Sequence, residues 1–87
     1  MTTEERKKIR RELRQFHGSL KEVALRAGVH YSYVGYVMRG DRNNEDVLTA
    51  ACEVLAECKK RAAQVEAYRH QLLAEVHPPL LEATLTN

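Results

Sequence analysis

The side chains able to do chemistry concentrate in one short run, His30-Tyr31-Ser32-Tyr33 followed by Gly35-Tyr36 and the cations Arg39 and Arg42. Hydroxyls that donate and accept, aromatic rings and guanidinium groups suit the binding of a polar, negatively charged surface better than the making or breaking of bonds. No catalytic set accompanies them. His17, His30, His70 and His77 are scattered without metal-ligand spacing, and although His70 and His77 share a helix face, a pair alone is a solvated face rather than a site. No glycine-rich phosphate loop occurs, and no serine, histidine and carboxylate fall into a nucleophile, base and orienting group. The sequence therefore predicts no enzyme, no metal and no cofactor. Cys52 and Cys58 point to different sides of a helix and cannot bridge each other. Both are expected to pack inside a protein of a reducing compartment, the alternative being a free Cys58 on a self-association face.

The elements that must position these groups belong to a chain of 87 residues, enough for one domain and too little for a deep cleft with separate walls. With 44% hydrophobic and 30% charged residues the composition is that of a folded chain. No apolar run approaches the roughly 20 residues of a membrane-spanning helix, and Met1 to Lys8 lack the apolar stretch of a secretory signal. No membrane association and a cytoplasmic location are the expectations. Charge is uneven: residues 1–42 hold ten Lys/Arg against five Asp/Glu, whereas residues 43–87 hold four against seven. Only the basic front half is suited to face a polyanion.

Periodicity predicts helices throughout. The first is capped by Thr2 or Thr3, has Glu4 and Glu5 in its first turn, and carries Ile9, Leu13 and Phe16 as one apolar stripe; Arg6, Lys7, Lys8, Arg10, Arg11 and Arg14 surround it as a solvated face. Gly18 ends it. Ser19-Leu20-Lys21-Glu22 has the form of a capping box, so a second helix is expected from Leu20, with Leu20, Val23, Ala24 and Ala27 inward, until Gly28 turns the chain. Val29 packs under that turn. In the third segment, His30 to Met38, the residues Val34, Val37 and Met38 face inward and Ser32, Gly35, Tyr36 and Arg39 outward, while Tyr33 and Tyr31 are open to either role.

Arg39 to Asn44 is a turn-forming run, and from Glu45 to Val76 there is no Gly or Pro until Pro78-Pro79, which are expected to stop the helix. Unbroken, this helix would be roughly 48 Å long. Its apolar stripe continues through Ala62, Val65, Tyr68, Leu72 and Val76, farther than a small domain can cover. Two arrangements meet that demand: a second copy of the chain covers the stripe, or a kink near residues 58–61 folds a fifth helix back. The expectation is an all-α fold, a domain of four to five helices over residues 1–58, a helical extension for dimerisation over 59–77, and a short tail, 78–87.

The stretch Leu20 to Gly40, LKEVALRAGVHYSYVGYVMRG, resembles the helix-turn-helix of the lambda-repressor and Cro-like family. A small residue that lets two helices cross closely is matched by Ala24, the turn glycine by Gly28, and the sealing apolar positions by Val23, Ala27, Val29, Val34 and Val37; with its flanks the resemblance covers about residues 4–57. It implies a bacterial or phage sequence-specific DNA-binding transcriptional regulator, in the first place a repressor, acting as a homodimer on a roughly palindromic site of double-stranded DNA. Tyr31, Ser32, Gly35 and Tyr36 would then meet base edges, and Ser19, Leu20, Lys21, His30, Arg39 and Arg42 would meet phosphates. Ala62, Val65, Tyr68, Leu72 and Val76 would join the two copies. Two departures stand out: His30 occupies the place of a Ser or Thr cap, and no Asn, Gln or Arg lies in the first turn of the reading helix. Against this reading stands an antitoxin-like one, in which the long C-terminal helix binds a partner protein.

Overall fold

The computed structural model describes the backbone of residues 1–86 and the side chains of residues 1–75. Within these the chain is all-helical: α1 (Thr3–Leu13), α2 (Ser19–Ala27), α3 (Tyr31–Arg39) and α4 (Glu45–Thr86). Each boundary has a local cause. Thr2 and Glu5 form a reciprocal capping box at the start of α1, with bonds of 3.1 and 3.2 Å. Gly28 and Gly40 end α2 and α3 in left-handed backbone, at φ 69° and 89°, which a side chain would strain. Asn44 caps α4, its Oδ1 accepting from the amides of Asp46 and Val47 at 3.0 and 3.2 Å.

Several expectations are corrected. The Ser19–Glu22 capping box does not form: Gly18, at φ 77°, is the N-cap and makes no side-chain bond, and α2 begins at Ser19. The Ser19 hydroxyl is buried and donates instead to the carbonyl of Leu13. The hydroxyl is turned inward, where a buried donor must find a partner, and the carbonyl at the end of α1 has a second lone pair to accept it. Phe16 lies beyond α1, in a turn where its amide bonds Leu13 at 3.0 Å, and packs half-buried against the core from there. No break occurs near residues 58–61, so the kinked alternative with a fifth helix is ruled out. Nor do Pro78 and Pro79 stop α4, which runs to Thr86. Two prolines remove two amide donors, and water can solvate the carbonyls this leaves free on an exposed helix.

Leu13, Val23, Val34, Val37, Met38 and Val47 are fully buried, so all four helices contribute to one core. Burial of each such side chain stabilises the fold by about 1.5–3 kcal/mol. Helix α4 closes the core with Val47, Ala51, Val54 and Leu55, and Cys58 is its last half-buried position. From Lys59 to Glu75 every residue is exposed, so this part of the helix adds nothing to the core. Arg26 ties α2 to α4 through Glu57 and Glu53, with Glu22 on its own helix, and Lys59 ties α4 to Glu12 of α1 at 2.9 Å. The Arg26 guanidinium holds the Glu57 carboxyl below its ordinary value, and Lys59 does the same to Glu12.

Candidate nucleic-acid interface

Helix α3 is two-faced. Val34, Val37 and Met38 are buried, and Tyr33 packs half-buried against the same core, which assigns it to structure rather than to the outer face. Outward stand Tyr31, 51% exposed, Tyr36, 47% exposed, Ser32 and the bare backbone at Gly35. They border a recess of about 230 Å³ with Arg39 beside them, Arg10 from α1 and Leu20 from α2. A glycine inside a helix costs about 1 kcal/mol relative to alanine. No internal contact demands it here, since a Cβ on Gly35 would meet nothing closer than Arg39 Nη1 at 3.9 Å.

The start of α3 is capped by an unusual group. His30 Nδ1 accepts from the Ser32 amide at 3.1 Å and lies 2.8 Å from the Ser32 hydroxyl, so histidine does the work usually done by Ser or Asp. At the other end the Arg39 guanidinium lies 5.0 Å from the Tyr36 ring centroid and 3.3 Å from Asp41, which holds the cation along the outer face. Arg42 is exposed, and its Nη1 reaches the Asp41 carbonyl at 3.4 Å.

A second hollow, of about 300 Å³, adjoins the first at the N-terminus of α2, lined by Arg14, His17, Gly18, Ser19, Leu20, Lys21 and Tyr31. Its predicted phosphate donors divide. The Ser19 amide bonds the Phe16 carbonyl at 3.2 Å and its hydroxyl is committed to Leu13, so Ser19 has no donor to offer a phosphate. The amides of Leu20 and Lys21 have no protein acceptor among the described residues and face the positive end of the helix.

Arg10 and Arg14 were not among the expected contacts. With Arg6 they form a row at four-residue spacing along α1 and its C-cap, and that spacing is the signal in the sequence. The row crosses three environments. Arg6 Nη1 donates to the carbonyls of Val37 and Arg42, both at 3.2 Å, and Nη2 to Asn43 Oδ1 at 2.9 Å, clamping the α3–α4 turn. Arg10 borders the α3 recess and Arg14 the α2 hollow.

On the extension of α4, Ala62, Val65, Tyr68 and Leu72 are exposed, joined by Leu73, which the sequence reading left out; Val76 lies outside the residues whose side chains are described. Ala62 and Val65 share a shallow groove with Phe16 and Cys58. Cys58 is half-buried and packs on the core, whereas Cys52 is exposed and so is not the packing residue expected. Its position faces away from the stripe that Ala51 and Val54 bury. Among the described residues no group of three or more His, Cys, Asp or Glu is placed to hold a metal ion, and no helix is long and apolar enough to cross a membrane. No family model matches the chain, and neither does any curated protein or solved structure.

Proposed function

We propose that this chain is a sequence-specific, double-stranded-DNA-binding transcriptional regulator that acts as a homodimer, with α3 as the helix laid in the major groove. The observation that carries the reading is the outer face of α3. Its backbone is bare at Gly35, it is flanked by the hydroxyls of Tyr31, Ser32 and Tyr36, Arg10 and Arg39 border its recess, Arg14 and Lys21 line the adjoining hollow, and Arg42 is exposed in the turn that follows. A helix without a side chain at its centre approaches base edges closely, and neighbouring cations suit the phosphates that border a groove. The free amides of Leu20 and Lys21 add an anion-binding helix start next to Lys21.

Dimerisation supplies affinity and symmetry. Val65, Tyr68 and Leu72 are 54%, 62% and 42% exposed on one side of the projecting helix, a stripe that a second copy would cover. Two reading helices about 34 Å apart would address a roughly palindromic site, and occupancy of such a site represses by exclusion. Sedimentation of the full chain, alone and with duplex DNA, tests both parts. A mass of two chains that binds duplex supports the reading; a single chain bound to a stoichiometric foreign protein after purification from its host would replace it with the antitoxin-like one.

A further inference from the structure

The hydrogen bonds at the start of α3 determine what Ser32 can offer. Because His30 Nδ1 accepts from the Ser32 amide, that nitrogen carries its lone pair and no proton. In the 2.8 Å contact with the same nitrogen, Ser32 must therefore be the donor, and its hydroxyl hydrogen is spent. The exposed side of Ser32 presents oxygen lone pairs, an acceptor. Acceptors in a major groove are matched by the exocyclic amino groups, N6 of adenine or N4 of cytosine.

The surroundings choose between the two. One turn along from Ser32 lies Gly35, with the half-exposed rings of Tyr31 and Tyr36 to its sides and the partly exposed Leu20 lining the same recess of about 230 Å³. Of the two cations bordering it, Arg39 is drawn toward Asp41 and the Tyr36 ring. Carbon and bare helix backbone receive a methyl group, and the thymine C5-methyl is the apolar group that a major groove exposes. Adenine N6 and the thymine methyl belong to one base pair, whereas G·C offers an amino group and no methyl.

We propose that α3 selects A·T pairs in the major groove, Ser32 Oγ accepting from adenine N6 while the recess around Gly35 takes the thymine methyl. This rests on the DNA-binding reading above. The test uses the full chain and a pool of randomised duplexes, followed by atom-by-atom changes in the best-bound duplex. Replacing thymidine by deoxyuridine deletes only the methyl, and replacing deoxyadenosine by the purine nucleoside deletes only N6. At one or two A·T pairs of each half-site, deoxyuridine is expected to weaken binding about fourfold, the worth of one buried methyl. The purine nucleoside is expected to weaken the parent protein by about fivefold to tenfold and Ser32→Ala not at all. Selection of a site that tolerates both replacements everywhere, or of a site of G·C pairs, would overturn the inference while leaving DNA binding intact. Failure to retain any duplex at low salt would overturn the DNA-binding reading itself.

Discussion

Gly35→Ala separates what α3 does for the fold from what it does for a ligand. The added Cβ points into open space, its nearest neighbour being Arg39 Nη1 at 3.9 Å, an ordinary contact distance. The helix gains the propensity difference between glycine and alanine, about 0.5–1 kcal/mol, with no packing penalty to offset it. For a domain of this size that is a rise in Tm of roughly 2–8 °C. The same methyl occupies the place where a base edge is meant to approach. Overpacking an interface of this kind costs about 1–3 kcal/mol, hence roughly a fivefold to 150-fold loss of DNA affinity. Thermal unfolding followed by circular dichroism and anisotropy titration with duplex DNA read the two effects independently. A more stable variant that binds duplex as well as the parent would refute the close approach of α3 to DNA, and a less stable one would refute the account of its open outer face.

Four further perturbations test the scaffold and the projecting helix. Arg6→Ala removes the three hydrogen bonds to the carbonyls of Val37 and Arg42 and to Asn43 Oδ1, so urea unfolding should show a loss of about 1–3 kcal/mol, and Arg6→Lys should not restore it because an ammonium cannot span three acceptors. The carboxyls of Glu5, Glu12 and Glu57 are held below their ordinary value, by the Thr2 hydrogen bonds, Lys59 and Arg26 respectively. A depressed folded-state pKa contributes stability that is present above the unfolded value of 4.5 and is lost as pH falls through the folded values, so Tm should fall between pH 5 and 3, and less so in high salt; a flat profile would contradict the ion pairs. Leu13→Ala, in the core, should cost about 2–5 kcal/mol, whereas Leu72→Ala should leave a dilute chain equally stable and weaken only its self-association, as sedimentation across concentration would show.

What was legible in the sequence was local. Gly28 and Gly40 turn the chain because only glycine takes that backbone without strain, and Thr2 and Asn44 cap because their acceptors lie within three residues of the amides they serve. The buried stripe of α3 followed from its period. What failed was tertiary. Ser19 matches a capping box in sequence, yet its hydroxyl turns to a carbonyl of the preceding helix, a partner that spacing cannot reveal. The arginine row of α1 could be seen as a row, but only the packing of α1 beside α3 separates Arg6, a clamp, from Arg10 and Arg14, which border the candidate interface. His30 stands where a Ser or Thr cap is expected, and its ring nitrogen caps α3 in their place. The continuity of α4 was undecidable because a kink and a straight helix carry the same apolar period.

The most direct test of the central claim is the salt dependence of duplex binding by the full chain. Arg10 and Arg39 border the α3 recess, Arg14 and Lys21 the adjoining hollow, and Arg42 is exposed in the turn after α3; if each neutralises a phosphate, the slope of log K against log salt should be about −4 to −5 per protomer, and about twice that for a dimer on one site. Binding at low salt that declines with this slope is the predicted result. No binding at low salt, or binding indifferent to salt, would contradict the account.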